Sequence, residues 1–392
     1  MPTARLSSPV TYAHFAPYLR SNYPALLPPS ATEDWPAFEL WFNHDCSINY
    51  DYLRAQYGQL KVQAVDCGNW EAEQRGFGEV LDGWERGAGA RVYVKDWHLP
   101  LIIRDAGRKV EDELYQVSDL VVDDWMNAYY SACTKDDFRF VYLGGPSTFT
   151  PLHRDVYSSY SISTNLHGNK TWHLFPPSCT SKLQLLLKAA EREDKVVDVR
   201  LWKEELRREF EEMGMEVVEQ GASETIFIPS GWYHQVTNHG LTFSLNHNWA
   251  NSHNLPTLYS SMCLENLAVR ESISDVKELL MKRHPDNWEK EWEECVGDLL
   301  ERSAGWNWTT FWSMIRLALQ SLDPQPSPAV TSGWPTTPPH AGPSIAFVVS
   351  QVSPLLDTFL MRVENERKWT TGLEDISSEV KGELKKLKGL DS

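Results

Sequence analysis

Between residues 138 and 249 the chain consists largely of short segments in which apolar and polar residues alternate. This period of two is typical of β-strands that bury one face. The predicted strands cover residues 138–143, 147–156, 159–166, 170–175, 215–219, 225–228, 232–237 and 241–249. Residues 179–213 are instead helical and highly charged, and they form an insertion between strands. Roughly eight short strands with one helical insertion predict a double-stranded β-helix, the jelly-roll or cupin-like fold.

Two glycines in this region carry turn signals. Gly168, followed by asparagine, predicts a hairpin between the strands at 159–166 and 170–175. Gly240, preceded by a histidine, predicts a second hairpin before the last strand. A two-residue loop there would place His234 opposite Leu245, whereas a three-residue loop would place it opposite Asn246. We favour the second register, because it keeps a polar histidine on the polar face of the last strand.

The regions before and after this core have mainly helical patterns of apolar residues. The pattern predicts strands at 62–65 and 91–97, with helical segments at about 34–57 and 70–90. After residue 254 apolar residues recur at helical spacing to about residue 322, and two more helices are expected at 344–368 and 374–387. The Pro-, Ser- and Thr-rich stretch 323–343 predicts a mobile loop. We therefore expect an α+β protein with an N-terminal helical and β region (1–137), a jelly-roll core (138–252) and a C-terminal helical region (253–392).

Composition narrows the class of protein. The 392 residues are 42% hydrophobic and carry a formal net charge of −17, which argues against a nucleic-acid partner. The six cysteines include no C-x-x-C pair, as expected for reduced thiols inside a cell. The N-terminus lacks the apolar core of a signal peptide, and no apolar run approaches the ~18 residues of a membrane span. These features predict a protein of the cytoplasm, with the nucleus as a further location, and no membrane partner.

The candidate chemistry begins at His153 and Asp155. Residues two apart on a strand share one face, so an imidazole and a carboxylate lie side by side. Together with His234 from a later strand they would complete the 2-His-1-carboxylate set that binds non-haem Fe(II). The chain contains twelve histidines, and a second His-x-Asp match at 284–286 stands at a helix entrance, where we interpret it as a chance match.

Two further features distinguish the match at 153. The last strand alternates between an apolar face and a wholly polar one, which includes Asn246, and a polar face can point into a jelly roll only if it lines a polar cavity. Lys170 begins a strand that is otherwise apolar. An inward lysine there requires an anion, such as the far carboxylate of a 2-oxo dicarboxylate. The alternative is an edge lysine that extends to solvent.

Together these motifs resemble the JmjC-domain oxygenases over about residues 140–250. They comprise Thr150-Pro-Leu-His153-Arg-Asp155, Gly168-Asn-Lys170-Thr-Trp, Ile228-Pro-Ser-Gly-Trp-Tyr-His234-Gln-Val and Asn246-His-Asn-Trp. With Tyr93-Val-Lys-Asp-Trp-His-Leu, the likeness extends over most of the chain and is closest to a lysyl-hydroxylase branch of the family.

The resemblance implies a cofactor, two cosubstrates and the residues that bind them. Fe(II) would be bound by His153, Asp155 and His234. The cosubstrates would be 2-oxoglutarate and O₂, with Lys170 on the C5 carboxylate of 2-oxoglutarate. Three further residues match positions that contact or flank the cosubstrate in relatives, and they are Tyr93, Thr150 and Asn246.

The resemblance also implies an activity. In this family an aspartate as the carboxylate ligand is usual in protein hydroxylases, and a glutamate in histone demethylases. The implied reaction is protein hydroxylation, with C4 hydroxylation of a lysine in the eukaryotic class I translation termination factor as the leading expectation for partner and substrate. One alternative is a JmjC lysine demethylase that acts on histones or other methylated proteins through the same iron chemistry. The second is a non-catalytic, cupin-like binding module. A zinc hydrolase would leave Lys170 and the polar strand without a role.

Overall fold

The computed structural model describes residues 3–193, 195–323, 334–366 and 372–390. Within these ranges the strands are β1 (Ala4–Arg5), β2 (Ala25–Leu27), β3 (Lys61–Asp66), β4 (Glu71–Gly76), β5 (Val92–Trp97), β6 (Arg139–Gly144), β7 (Phe149–Arg154), β8 (Tyr160–Phe175), β9 (Glu216–Gln220), β10 (Thr225–Ile228) and β11 (Tyr233–Trp249). The helices are α1 (Tyr12–Ser21), α2 (Pro36–Leu40), α3 (Tyr50–Tyr57), α4 (Phe77–Glu85), α5 (Leu99–Asp105), α6 (Val110–Glu113), α7 (Trp125–Cys133), α8 (Thr180–Arg192), α9 (Glu204–Glu212), α10 (Leu255–Ser272), α11 (Ser274–Arg283), α12 (Trp288–Ala304), α13 (Trp308–Ser321), α14 (Ile345–Glu366) and α15 (Leu373–Leu390).

Two long strands organise the sheet. The strand order is β1-β2-β10-β8-β11-β6-β5-β3-β4, with β7 also paired to β11 and β9 also paired to β8. β8 pairs antiparallel with β10 through its first half and with β9 through its second half. β11 likewise pairs with β7 through its first half and with β6 through its second. The sheet, with helices before, within and after it, is the α+β arrangement that the sequence predicted.

Neither predicted hairpin forms. Gly168 lies inside β8 and Gly240 lies inside β11, both at positive φ, and each strand continues through its glycine. β6 and β7 follow one another along the same strand β11, so this strand does not fold back on itself. The two registers considered for the second hairpin are therefore both wrong: His234 lies opposite His153, and Asn246 lies opposite Phe140. A glycine at positive φ serves a strand bend as well as a turn, and that ambiguity explains the error.

The predicted helix over 70–90 begins later than expected. Residues Glu71–Gly76 form β4, an edge strand that pairs with β3, and the helix starts at Phe77. The side chains of β4 are mostly exposed and polar on both faces. Without an apolar face, this strand lacks the alternation by which the other strands were recognised.

The N-terminal helices cover one face of β6 and β11. Val141, Leu143, Phe243 and Leu245 point into an apolar cluster that includes tryptophans and leucines of residues 35–103. Because side chains alternate along a strand, the residues between them face the opposite way, into the interior of the jelly roll. That interior face carries the polar residues of β11.

By its internal contacts the chain divides into two compact units. The first contains residues 1–121, 137–155 and 160–248, and the second contains 122–136, 156–159 and 249–392. In the second unit α13 packs against α7 and α15, and α14 packs against α10 and α15. The predicted closing helices at 344–368 and 374–387 correspond to α14 and α15. Residues 324–333 of the predicted mobile loop lie outside the described residues. The division into three consecutive regions stays a prediction.

One helix in the described part of the chain is long and apolar enough to cross a membrane. It spans Ile345–Asn365, with a mean hydropathy of 1.2 and 28% of that window buried. Polar and charged residues, among them Gln351, Asp357 and Arg362, interrupt this helix, and the absence of a membrane partner stays a prediction. A single helix of this kind is weak evidence for a membrane segment, because core helices of soluble proteins have the same properties.

The two strand glycines provide a matched test of the bends. A Cβ at Gly168 would lie 2.5 Å from the carbonyl oxygen of Leu241, whereas a Cβ at Gly240 would meet nothing within 4 Å, although both residues have φ near +79°. We expect Gly240→Ala to lower the free energy of unfolding by about 1 kcal/mol, from φ alone. Gly168→Ala should lower it by roughly 3 kcal/mol or more, because backbone must also move. Urea denaturation of both variants measures the difference, and equal losses would contradict this account of the bend in β8.

Candidate active site

Three side chains of metal-ligand type converge in the first unit. His153 lies on β7, Asp155 directly follows it, and His234 lies opposite His153 on β11. Asp155 Oδ1 is 3.8 Å from His153 Nε2 and 3.9 Å from His234 Nε2, and the two imidazole centroids are 4.2 Å apart. The three ligand atoms all lie within 4.8 Å of one another, so a single ion can contact all three residues.

Backbone carbonyls fix the orientation of both histidines. His153 Nδ1 lies 2.8 Å from the carbonyl oxygen of Pro151, and His234 Nδ1 lies 3.5 Å from that of Trp232. A carbonyl only accepts, so Nδ1 carries the proton and the Nε2 lone pair is left for a metal. Burial, followed by the nearby His153, lowers the pKa of His234 well below its ordinary value. His234 is therefore neutral at pH 7, the state that a metal ligand requires.

The surroundings of Asp155 indicate a binding site for a cation. Burial raises the pKa of Asp155, while His153 and side-chain hydrogen bonds from Asn248 and Ser161 lower it. Its Oδ2 is buried and has no hydrogen-bond partner among the described residues. A buried carboxylate oxygen without a partner is costly, and a bound cation removes that cost. Two neutral imidazoles and one carboxylate are the donor set of a non-haem Fe(II) site, so these residues fit that ion.

Lys170 lies inside the jelly roll. Only 2% of the residue is exposed, and burial lowers the pKa of its ammonium to about 7. Burial is the one cause of this shift, and among the described residues no carboxylate pairs with the ammonium. Its Nζ is 5.9 Å from the ring centroid of Trp172, whose ring is 5.7 Å from that of His234. The alternative of an edge lysine that extends to solvent is therefore wrong, and its role toward an anion stays a prediction.

The other predicted cosubstrate residues fall into two places. Tyr93 on β5 and Thr150 on β7 are joined by a hydrogen bond of 3.1 Å between their hydroxyls, and burial raises the pKa of Tyr93 above its ordinary value. Asn246 accepts a hydrogen bond of 2.8 Å from Ser163 on β8 and pairs with Phe140 in the sheet, whereas His234 pairs with His153. Their contact with a cosubstrate stays a prediction.

Sequence reasoning overlooked two residues of the site. Ser161 and Asn248 hydrogen-bond to each other at 3.2 Å, and both contact the Asp155 carboxylate. Asn248 stands two residues after Asn246, so the alternation of the last strand places it on the same polar face, and this is the signal that would have identified it. Ser161 stands two residues before Ser163, so both serines share one face of β8, but no motif in the sequence marks that face.

Metal binding by this group can be tested against the second His-x-Asp match. Asp155→Ala and His234→Ala each remove one of three ligands, and we expect the affinity for Mn(II), used as a stable substitute for Fe(II), to fall about 100-fold or more. His284→Ala is the matched control, since the His284 side chain is 53% exposed and outside the site. Titration calorimetry or Mn(II) EPR measures the loss. Wild-type affinity in Asp155→Ala, or an equal loss in His284→Ala, would contradict the assignment.

Comparison with known proteins agrees with this geometry. Residues 140–249 match the family model described as "JmjC domain, hydroxylase". The chain is 28% identical over 327 residues to the mouse 2-oxoglutarate and iron-dependent oxygenase JMJD4, covering 78% of this chain and 72% of that protein. The chicken protein of the same name is 31% identical over 298 residues, covering 71% and 66%. The Arabidopsis thaliana protein named arginine-specific demethylase JMJ20 is 30% identical over 306 residues, covering 69% and 62%.

The matched region contains all three converging residues together with Lys170, Thr150 and Asn246. Both the donor set and the similar proteins thus indicate iron and 2-oxoglutarate, and the fold around them is the cupin-like domain expected from the sequence. We conclude that the chain belongs to the JmjC family of 2-oxoglutarate- and iron-dependent dioxygenases.

Proposed function

We propose that this dioxygenase is a protein hydroxylase that acts on a basic side chain. The observation that carries the proposal is a pair of opposite, uncompensated charges in one interior. Asp155 Oδ2 has no partner, and Lys170 is buried without a counter-ion among the described residues. A bound iron ion would neutralise the Asp155 carboxylate, and the far carboxylate of 2-oxoglutarate would neutralise the Lys170 ammonium.

Each residue has a defined task in this proposal. His153, Asp155 and His234 would hold Fe(II). Lys170 binds the distal carboxylate of 2-oxoglutarate, while the hydroxyls of Tyr93 and Thr150 orient it. When bound, iron and 2-oxoglutarate supply the activation of O₂ that is coupled to decarboxylation to succinate. The protein contributes a desolvated interior and a fixed position for the substrate C–H bond.

The leading substrate is a lysine of the eukaryotic class I translation termination factor, hydroxylated at C4. The likeness to the lysyl-hydroxylase branch supports this choice, as does the use of an aspartate at position 155. The net charge of −17 suits a cationic substrate. A cytoplasmic or nuclear location would place the enzyme with such a substrate, and that location is part of the proposal.

A second candidate is removal of N-methyl groups from arginine or lysine. The Arabidopsis relative is named arginine-specific demethylase JMJ20, and this name favours the second candidate. Hydroxylation of an N-methyl group uses the same site and ends with release of formaldehyde, so the two candidates differ in product and not in metal chemistry. The non-catalytic binding module is not supported, because the ligand set is complete.

Mass spectrometry separates the candidates. Incubation of the enzyme with Fe(II), 2-oxoglutarate, O₂ and a lysine-containing peptide of the termination factor should add 16 Da to that lysine and release equimolar succinate. Asp155→Ala should abolish both products. A peptide with norleucine in place of the lysine is the matched control and should not be modified at that position. Formaldehyde release from methylated peptides, without a 16 Da gain on unmethylated ones, would instead establish the demethylase.

The lowered pKa of Lys170 makes cosubstrate binding depend on pH. In the free protein its pKa is about 7, so at pH 8 most molecules carry a neutral amine. A bound carboxylate raises that pKa, and binding therefore takes up a proton. We expect the affinity of the Mn(II)-loaded protein for 2-oxoglutarate to fall as pH rises above 7. Calorimetry in two buffers of different ionisation enthalpy measures the proton uptake, and pH-independent binding would contradict the role of Lys170.

Lys170→Met is the control for this experiment. It should abolish the proton uptake and weaken 2-oxoglutarate binding at least about tenfold. The same variant should stabilise the ligand-free protein at pH 7.5 by roughly 1–3 kcal/mol, since the folded state then no longer buries an uncompensated amine. In the wild-type protein the folded state binds fewer protons than the unfolded state between about pH 7 and 10.5, so its stability should rise with pH across this window.

A further inference from the structure

A second carboxylate lies close to the predicted cosubstrate residues and has no task in the reaction described above. Asp96 stands near the end of β5, at an irregularity in pairing between Val94 and Trp97. Its φ of 53° is a left-handed conformation that residues other than glycine seldom adopt. Its side chain is 56% exposed. The left-handed backbone at Asp96 therefore interrupts the alternation of side chains along β5, and the carboxylate at this position is accessible to solvent.

Tyr142 ties this acid to the interior of the jelly roll. Its hydroxyl donates a hydrogen bond of 2.5 Å to Asp96 Oδ1. Tyr142 lies on β6 between Val141 and Leu143, which both point into the apolar cluster, so its own side chain faces the opposite way. It lies opposite Ser244, on the polar face of β11.

Ring packing places Tyr142 beside the predicted cosubstrate residues. The ring centroid of Tyr142 is 6.2 Å from that of Tyr93, whose hydroxyl shares the 3.1 Å hydrogen bond with Thr150. Asp96, which accepts the hydrogen bond of Tyr142, therefore belongs to the surroundings of the candidate active site.

Lys95 is the cationic neighbour of Asp96 in the described part of the chain. Lys95 Nζ is 3.4 Å from Asp96 Oδ2, and the lysine side chain is 33% exposed. An ion pair between exposed neighbours of this kind contributes little free energy and is readily exchanged. Oδ1 is held by Tyr142, whereas Oδ2 is free to exchange Lys95 for another cation.

We propose that Asp96 binds the cationic group of the substrate side chain, and that Tyr142 positions Asp96 for this contact. The inference rests on the proposed function, since it assumes a basic substrate, and it names the residue that selects one. Charge-assisted hydrogen bonds from an ammonium or guanidinium group to a carboxylate are strong, and they strengthen as the bound substrate excludes water. Asp96 thus makes the enzyme specific for basic side chains.

The test compares a termination-factor peptide containing one lysine with the same peptide containing norleucine. Both are bound, without O₂, to the enzyme loaded with Mn(II) and 2-oxoglutarate, and fluorescence anisotropy measures their dissociation constants. The wild-type enzyme should prefer the lysine peptide by about tenfold. Asp96→Asn, which retains the shape and tolerates the left-handed backbone, should reduce that preference to about one. Tyr142→Phe should reduce it in part, and Asp105→Asn, an exposed acid outside the site, should not change it.

Hydroxylation of the same peptides separates this inference from the proposed function. If the wild-type enzyme adds 16 Da to the lysine and Asp96→Asn does so with an unchanged KM, the function stands and the role of Asp96 is wrong. If the wild-type enzyme binds the lysine peptide preferentially through Asp96 and yields no 16 Da product, the proposed function fails and the role of Asp96 stands. A preference that survives in Asp96→Asn overturns the inference whatever product is formed.

Discussion

The pairing of β7 with β11 is the constraint on which the site depends. These strands are distant in sequence, and their register alone places His234 opposite His153. A shift of one residue would turn His234 to the other face of the sheet and remove it from the ligand group. β7 pairs with the first half of β11, which carries His234, and β6 pairs with the second half. The apolar residues of β6 also pack under the N-terminal helices, so both halves of β11 are held in register.

The same interior holds charges that the fold alone does not satisfy. Asp155 Oδ2 and the ammonium of Lys170 are both buried without a compensating group among the described residues. Such groups lower stability until a ligand of opposite charge arrives. The ligand-free protein is thus less stable than its packing would permit, and metal and cosubstrate binding recover the difference.

Much of this arrangement could be predicted from the sequence. Alternation identified most strands of the core, and the spacing of His153 and Asp155 placed both on one face. The polar face of the last strand indicated a polar interior. Composition could not distinguish a hairpin from a bent strand, since Gly168 and Gly240 adopt the positive φ that either requires. The pairing partners of the strands could not be predicted either, because register depends on contacts between residues far apart in sequence. The contact of Ser161 with Asp155 is one such case.

The continuity of β11 limits where this chain can change in length. One strand carries His234 near its start and Asn248 near its end, so a residue inserted after the pairing irregularity at 234–236 would exchange the two faces for every position that follows. The segment between β8 and β9 bears no such constraint, since it leaves and re-enters the sheet at strand ends. Over evolutionary time, we expect gains and losses of residues to accumulate in that helical segment and to be purged from β11.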